Sequence, residues 1–444
     1  MTAYHCELAW LGGDEAERDV VVRVDGERIT AVETAVAQPP EGAIRLPGLT
    51  IPGLANAHSH AFHRALRGRT HTGSSSFWTW REQMYALAAS LDPDSYLELA
   101  RATFAEMALA GISVVGEFHY LHHGPGGVPY DDPNAMGAAL LAAAAAAGIR
   151  ITLLDTCYLQ GGIGVELDDT QRRFADHDAL AWAARASALA GSDSSGAPGV
   201  RIGAAIHSVR AVDPPAMEVV AQWAAARDAP LHAHVSEQAA ENQRCVEAYG
   251  RTPTELLAER GALGASFTAV HATHLTDADV GRLGASSCWC CFCPTTERDL
   301  ADGIGPSRAL RQAGAGLTLG SDSHAVIDLL EEARAVELDE RLARGVRGSH
   351  DAVALLDMAT VQGHASLGWE EAGRIRPGAY ADLTTIGLDS VRTAGTRAED
   401  AVAVAVFAAT AADVHHVVIS GRQVVADGRH TSIDVAGALR HALR

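Results

Sequence analysis

The chain of 444 residues is long enough to bury a large core, and its hydrophobic content of 48% is that of a globular protein rather than a disordered one. Its formal net charge of −20 argues against nucleic acid as a partner, because phosphate binding requires a basic surface. All 35 basic residues are arginines, which excludes a metal pair bridged by a carboxylated lysine.

Cysteine usage and the pattern of apolar runs indicate the compartment. The seven cysteines are an odd number, and nothing at the start of the chain has the charged and then apolar pattern of a secretory leader. No apolar run approaches the length of a membrane span. We therefore expect a cytoplasmic protein without a membrane partner.

The first 50 residues alternate short apolar runs with turn signals. The runs at 20–24 and 29–32 flank a polar turn, a pattern that predicts a β-hairpin. A hairpin is marginally stable alone, so this segment needs further strands from elsewhere in the chain.

From residue 51 the pattern changes to strand, loop and helix, repeated to about residue 370. Helical stretches such as 96–110 and 217–227 separate eight strand-like runs. The runs end at His60, Phe118, Thr156, His207, His234, His271, Pro294 and Asp322. This order predicts an α/β fold, a (β/α)8 barrel of the TIM type, whose chemistry lies at the carboxyl ends of its strands.

The segment 371–444 returns to β character. Apolar runs at 378–383, 402–407 and 417–425 predict strands. We expect them to pair with residues 1–50 in a small β-sandwich domain built from both termini, with residues 51–370 forming the barrel domain.

Three of the predicted strands end in residues that commonly bind metals. His58 and His60 share a face of the first strand, because side chains alternate along a strand. The fifth strand ends with His232 and His234, and the eighth with Asp322. Three histidines and one aspartate around an open position are the ligand set of a catalytic zinc or a similar ion.

This constellation, completed by His271 at the end of the sixth strand, resembles the amidohydrolase superfamily over nearly the whole chain. The resemblance implies one divalent metal ion per chain, with Zn2+ as the default. The metal ligands that it implies are His58, His60, His234 and Asp322. His234 is preferred to His232 because deaminases of this superfamily carry His-x-x-Glu here, and the acid of that motif is Glu237.

The predicted catalytic residues are Glu237, His271 and Asp322. Asp322 and the ion together help a water molecule to lose a proton near neutral pH. Glu237 is placed to pass a proton to the leaving nitrogen, and His271 to stabilise the charge that develops at the attacked carbon. We expect the neighbouring His274 to be structural.

Five stretches at the barrel loops resemble a narrower group. They are residues 76–82, 117–123, 207–210, 294–297 and 320–324. They closely resemble the formimidoylglutamate deiminases of histidine degradation, which are hydrolases acting on a carbon–nitrogen bond of a linear amidine. Such an enzyme converts the formimino group of N-formimino-L-glutamate into a formyl group and releases ammonia, and the resemblance also suggests a homodimer.

The same resemblance implies a set of substrate-binding residues. They are His63, Arg81, Tyr120, His207 and Arg210. Arg81, Tyr120 and Arg210 are expected to hold the two carboxylates of the substrate, and arginine suits this task because its planar fork binds a carboxylate with two hydrogen bonds. In an acidic protein such local positive charge is needed for a small dicarboxylate to bind.

The residue at position 63 departs from the family pattern. The family form His-Ala-Phe-Gln-Arg is replaced by His60-Ala61-Phe62-His63-Arg64. His63 can still donate a hydrogen bond, and we expect its charge, and therefore substrate binding, to depend on pH.

Four cysteines at 288, 290, 291 and 293 suggest a metal or redox site at first sight. They lie in the seventh predicted strand, where alternate side chains point to opposite faces and cannot converge on one ion. We interpret them as packed thiols.

Two other functions fit parts of the sequence. A deaminase of a nucleobase or an adenosine-like metabolite would use the same metal ligands and Glu237, but its pocket would need aromatic stacking and amide groups. A barrel that has lost its metal and serves as a non-enzymatic scaffold would not need His58, His60, His234 and Asp322.

Overall fold

The computed structural model describes residues 2–70, 77–192 and 194–444. Within these residues the strands form two sheets of eight strands each. One sheet is an all-parallel barrel, and the other is a mixed sheet made by the two ends of the chain. The predicted fold class is therefore confirmed. Ser76, in one of the stretches that carried the resemblance, lies outside the described residues.

The strands and helices follow one another along the chain as follows. The strands are β1 (Thr2–Ala9), β2 (Glu17–Asp25), β3 (Arg28–Glu33), β4 (Ile44–Pro52), β5 (Leu54–Ser59), β6 (Ile112–His119), β7 (Arg150–Cys157), β8 (Val200–Ile206), β9 (Leu231–Val235), β10 (Phe267–His271), β11 (Trp289–Phe292), β12 (Gly316–Leu319), β13 (Leu383–Ile386), β14 (Val414–Ile419), β15 (Arg422–Ala426) and β16 (Arg429–His430). The helices are α1 (Phe77–Ser90), α2 (Pro93–Leu109), α3 (Ala135–Ala147), α4 (Ala179–Ala190), α5 (Pro214–Ala225), α6 (Ala239–Tyr249), α7 (Pro253–Glu259), α8 (Asp277–Ala285), α9 (Pro294–Asp299), α10 (Ser307–Ala313), α11 (Leu329–Arg344), α12 (Ala352–Asp357), α13 (Gly363–Ser366), α14 (Ala401–Phe407) and α15 (Val435–Ala442).

The barrel is built from β5 to β12, each strand pairing in parallel with the next along the chain. It closes between its first and last strands through the bridge between Ser59 and Asp322. The backbone nitrogen of Asp322 donates to the carbonyl of His58 (3.0 Å), and the backbone nitrogen of His60 donates to the carbonyl of Asp322 (3.2 Å). Barrel closure thus brings three predicted metal ligands from distant parts of the chain together.

The eight predicted barrel strands are all present, and most differences lie at their ends. The sixth ends at His271 as predicted. The seventh ends at Phe292 rather than Pro294, because Pro294 begins helix α9, a position that suits its fixed φ and missing N–H. The eighth ends at Leu319, so Asp322 lies in the loop that follows.

The two ends of the chain meet at β4 in the mixed sheet. This strand pairs in parallel with β1 and antiparallel with β13, and the predicted hairpin is confirmed as β2 and β3. Because β4 continues to Pro52, the first part of the sheet extends just beyond residue 50. A buried ion pair between Arg150 of the barrel and Asp382 (Nε to Oδ2, 3.0 Å) fixes the sheet against the barrel.

The strand predicted at 402–407 is wrong, because this run lies in helix α14. Its buried residues are Ala401, Val402, Ala405 and Val406, a spacing that places one helical face on the core. The run of alternating alanine and valine is too short for its periodicity to separate strand from helix.

The cysteines are packed as free thiols, and all seven are buried. Cys291 and Cys293 pack with Ala57 and Val270, whereas Cys288 and Cys290 belong to the main core. Their opposite faces agree with the interpretation from the sequence. Among the described residues, no helix combines the length and apolar character needed to cross a membrane.

Candidate active site

Four of the predicted residues converge at the carboxyl end of the barrel. Asp322 Oδ1 lies 3.4 Å from Nε2 of His58 and 3.4 Å from Nε2 of His60. Nε2 of His234 lies 3.2 Å from Nε2 of His58. The side chains of all four are almost completely buried, so that polar atoms face one another with little water between them.

These distances fit a bound cation. Two ligands that are each about 2.0–2.1 Å from a tetrahedral zinc ion lie about 3.3–3.4 Å apart. The separations of 3.2 to 3.4 Å between His58, His60, His234 and Asp322 are close to that value. Two neutral imidazole nitrogens that both lack a proton repel each other at this distance, and a cation between them removes that repulsion.

The orientation of two of these imidazoles is fixed by the backbone. Nδ1 of His60 lies 2.9 Å from the carbonyl of Phe118, and Nδ1 of His234 lies 2.9 Å from the carbonyl of His207. A carbonyl oxygen can only accept, so each Nδ1 carries the proton and each Nε2 presents a lone pair to the centre. The two rings are therefore in the tautomer that binds metal.

The charge states also suit a cation. Burial lowers the pKa of His58 to about 3 and lowers the pKa values of His60 and His234, so these rings are neutral at neutral pH. Burial alone would raise the pKa of Asp322, but hydrogen bonding and charge interactions with the histidines, His58 foremost, lower it. A carboxylate among neutral imidazoles is a donor set that zinc prefers.

One ring nitrogen of His271 lies within 4.8 Å of ligand atoms of His58 and His234, so His271 borders this centre. Its Nε2 is 3.8 Å from Asp322 Oδ2, and its Nδ1 is 3.3 Å from Oε1 of Glu297. The same Glu297 oxygen accepts from the backbone nitrogen of Cys293 (2.9 Å). Burial opposes a charge on His271, but the hydrogen bond to Glu297 and the nearby carboxylates raise its pKa to about 10.

Cys293 also approaches this group. Its sulfur has ligand atoms of His271 and Glu297 within 4.8 Å. Burial raises the pKa of the Cys293 thiol well above its usual value, and Glu297 is already engaged by two donors. The interpretation of Cys293 as a packed thiol therefore stands.

Two residues of the site have an unfavourable backbone conformation. His271 has a φ of 67° and Asp322 a φ of 41°, in the left-handed region that non-glycine residues rarely adopt. Each such residue costs about 1–3 kcal/mol, which the surrounding structure must offset. His271 is the last residue of β10, and Asp322 lies in the loop after β12.

A cavity of about 910 Å³, including its open mouth, leads down to this centre. Its walls carry all five of the predicted substrate-binding residues together with the predicted catalytic ones. They are His63, Arg81, Tyr120, His207, Arg210, Glu237, His271 and Asp322. The structure thus brings into one cavity the residues that the sequence analysis collected from six strand ends and loops.

Arg210 is paired with two carboxylates in this cavity. Its Nη2 lies 2.7 Å from Oε2 of Glu237, and its Nε lies 3.4 Å from Oε2 of Glu241. Burial opposes the charge of Arg210, but Glu241 and Glu237 together raise its pKa above the usual value. The guanidinium is therefore charged and held in place by these two carboxylates.

His63 and Tyr120 form a buried pair in the cavity wall. Nε2 of His63 lies 2.9 Å from the hydroxyl of Tyr120, and its Nδ1 has no hydrogen-bond partner among the described residues. Burial, and then the neighbouring His60, lower the pKa of His63 well below its usual value. The predicted change of charge on His63 near neutral pH is therefore wrong, since the ring is neutral there.

His232, which we did not prefer as a ligand, and His274, which we expected to be structural, both lie away from the centre. His232 is fully buried in a deeper layer of the barrel, where its Nε2 lies 3.4 Å from the carbonyl of Ser366. The backbone of His274 accepts from the side chain of Asn242 in the loop after β10. Neither contributes to the cavity wall.

The sequence analysis did not identify several residues of the site. Glu241 and Glu297 are buried carboxyls that contact Arg210 and His271, and Tyr85, Tyr158 and Phe174 line the cavity. Glu297 ends the Pro294–Glu297 stretch that we quoted, so its position was a usable signal. The contacts of the others depend on segments far apart in the chain.

Comparisons with known proteins agree on one family. Residues 49–424 match the Amidohydrolase family. A formimidoylglutamate deiminase from Pseudomonas aeruginosa is 35% identical over 405 residues, covering 88% of this chain and 87% of that protein. An 8-oxoguanine deaminase from the same organism is 30% identical over 398 residues, covering 88% and 86%.

The solved structures agree as well. The crystal structure of an amidohydrolase from Brucella melitensis superimposes with a TM-score of 0.92 at 31% identity, covering 100% of this chain and 99% of that one. Its coverage includes both the barrel and the mixed sheet.

Proposed function

The chain belongs to the amidohydrolase family, and from that premise we propose that it hydrolyses N-formimino-L-glutamate to N-formyl-L-glutamate and ammonia. Its membership makes it a deaminase-type hydrolase that acts on carbon–nitrogen bonds. The proposal concerns the substrate, the metal and the roles of individual residues.

We assign the metal to His58, His60, His234 and Asp322. The ion, which we propose to be zinc, would supply the positive charge that makes a water molecule nucleophilic near neutral pH. The fixed tautomers of His60 and His234 support this assignment, because their lone pairs point to one place.

The reaction then needs a proton at the leaving nitrogen. Water adds to the formimino carbon, and the nitrogen leaves that carbon as ammonia once it has been protonated. Glu237 lies in the cavity wall with Asp322 and His271, where its carboxyl can take a proton from the attacking water and deliver it. His271, kept in one orientation by Glu297, can stabilise the charge on the attacked group.

The observation that carries the substrate assignment is the presence of Arg81 and Arg210 in the cavity that ends at the metal ligands. Arg81 lies on helix α1 and Arg210 in the loop after β8, and a dicarboxylate can engage one with each end. Arg210 adjoins Glu237, so we assign to it the carboxylate nearer the formimino carbon, and to Arg81 the farther one.

The test is ammonia release from N-formimino-L-glutamate by the purified, metal-loaded protein. Formiminoaspartate, guanine and adenosine serve as parallel substrates under the same conditions. We expect formiminoglutamate to be hydrolysed with the highest kcat/KM. Hydrolysis of guanine or adenosine with no release from either formimino acid would reject the proposal.

The second candidate is a deaminase of a nucleobase or an adenosine-like metabolite. It is favoured by the 30% identity to an 8-oxoguanine deaminase and by the aromatic residues Tyr85, Tyr158 and Phe174 in the cavity. A neutral base, however, would bring no negative charge to Arg81 and Arg210. The parallel substrates separate the two candidates.

One prediction concerns Arg210. Replacing it in Arg210→Met should lower kcat/KM for formiminoglutamate about ten- to a hundredfold or more, because a charge-assisted pair is lost and a carboxylate is left unpaired. Steady-state kinetics measure the effect, and metal analysis should show unchanged content.

Arg251 provides a matched control for this change, since its Nε pairs with Glu259 (2.6 Å) at the surface, outside the cavity. The Arg251→Met variant should behave like the parent. A kcat/KM equal to that of the parent in the Arg210→Met variant would show that Arg210 does not bind the substrate.

A further prediction concerns metal stoichiometry. We expect one tightly bound divalent ion per chain, because His58, His60, His234 and Asp322 are linked by separations of 3.2 to 3.4 Å and no lysine is available to bridge a second ion. Elemental analysis after dialysis measures this directly, and removal of the ion by a chelator should abolish activity until it is restored. Two ions bound with comparable affinity would contradict the assignment.

A further inference from the structure

We propose that Tyr85 and Gln171 are positioning residues that orient Arg81 and thereby set how tightly the farther carboxylate is held. The inference rests on the proposed function. Neither residue is among those predicted from the sequence, and both belong to segments that contribute no metal ligand.

Arg81 and Tyr85 lie one turn apart on α1, so their side chains meet on one face of the helix. Nε of Arg81 donates to the hydroxyl of Tyr85 (2.7 Å), and the guanidinium carbon is 4.9 Å from the centre of the Tyr85 ring. Guanidinium is planar, so a bond at Nε sets the direction in which the terminal nitrogens point. The phenol therefore controls the part of Arg81 that binds a carboxylate.

Gln171 forms a hydrogen bond to the hydroxyl of Tyr85. Its Nε2 lies 3.0 Å from the hydroxyl of Tyr85 and 3.0 Å from that of Tyr158, so one amide group bridges two cavity tyrosines. Its Oε1 accepts from the backbone nitrogen of Asp168 (2.9 Å), which fixes which end of the amide faces the tyrosines. Gln171 is only 2% exposed, so water does not compete for these bonds.

The segment around Gln171 also anchors the end of α1. Arg173 donates to the carbonyls of Ala88 and Leu91 where the helix ends, the latter at 2.6 Å. Phe174 packs edge-on against Tyr85, with ring centres 5.8 Å apart. The segment 168–174 therefore contacts α1 at two places, at Tyr85 beside Arg81 and at the end of the helix. Through these contacts it helps to position Arg81.

The test uses a double-mutant cycle. Tyr85→Phe keeps the ring and removes the hydroxyl, and we expect KM for formiminoglutamate to rise about tenfold with kcat changed less than about twofold, the size of effect expected for one hydrogen bond to a charged group. Arg81→Met should raise KM at least as much. Because Tyr85 acts through Arg81, the double variant should match Arg81→Met alone.

Two further variants sharpen the result. Gln171→Met should raise KM in the same direction as Tyr85→Phe, with unchanged metal content. Tyr380 stacks on Arg28, 3.7 Å from ring centre to guanidinium carbon and outside the cavity, so Tyr380→Phe is the matched control and should leave KM unchanged.

The outcomes separate this inference from the proposed function. Effects of Tyr85→Phe and Arg81→Met that multiply in the double variant would overturn the inference, because Tyr85 would then act on the substrate independently. A parental KM in Tyr85→Phe beside a raised KM in Arg81→Met would also overturn it, yet leave the proposed function intact. Parental KM in Arg81→Met would overturn the proposed carboxylate site itself.

Discussion

The Glu237→Gln variant is expected to retain its metal and to lose roughly two or more decades of kcat. The introduced amide would keep the shape of the side chain but could neither take a proton from water nor deliver one to the leaving nitrogen. The amide could still contact Arg210, now as a neutral acceptor, so binding of the substrate should change less than turnover. Single-turnover ammonia release and elemental analysis measure the two quantities.

Glu247, exposed on helix α6, which follows Glu237 in the chain, offers a control of the same chemistry. Its carboxylate accepts from Gln243 at 2.8 Å on the surface, and Glu247→Gln should leave turnover unchanged. Near-parental turnover in Glu237→Gln would assign the proton transfer to another group, and His271 would be the next candidate.

The His60→Ala variant is expected to lose both metal and activity. Nε2 of His60 is one of the four atoms that surround the centre, and its Nδ1 is fixed by the carbonyl of Phe118. Removing it leaves three ligands and an opening for water, so metal affinity should fall at least ten- to a hundredfold. Metal content after dialysis and ammonia release should decline together.

His274 provides the control for His60→Ala, because it is a histidine near the site that we do not assign to the metal. It lies in the loop after β10, close in sequence to His271, but it does not line the cavity. The His274→Ala variant should keep both metal and activity. A His60→Ala variant that binds metal as tightly as the parent would exclude His60 as a ligand.

The convergence of His58, His60, His234 and Asp322 was predictable because it depends on two regular features of the chain. Alternation along a strand places His58 and His60 on one face, and the parallel order of the barrel brings all strand ends to one edge. Neither step needs knowledge of distant side chains. The location of Asp322 followed in the same way, although it lies three residues beyond the end of β12.

The surroundings of the arginines were not predictable by such rules. Arg210 pairs with Glu241, and Tyr85 with Gln171, across segments from different barrel units, and no local periodicity encodes these contacts. The prediction for the charge of His63 failed for a related reason. Burial lowers the pKa of His63, and burial cannot be read from the sequence. The prediction of a strand where helix α14 lies failed because a six-residue run of alanine and valine fits two periodicities.

The pairing of β4 with both β1 and β13 has a consequence for how the molecule forms during synthesis. Strand β4 emerges from the ribosome long before β13, and the whole barrel lies between them in the chain. Until Leu383–Ile386 has been made, one edge of β4 has no neighbour and can pair with another chain. The nascent N-terminal strands therefore keep an exposed edge while the barrel is being made, and the mixed sheet can be completed only after β13 to β16 have been synthesised.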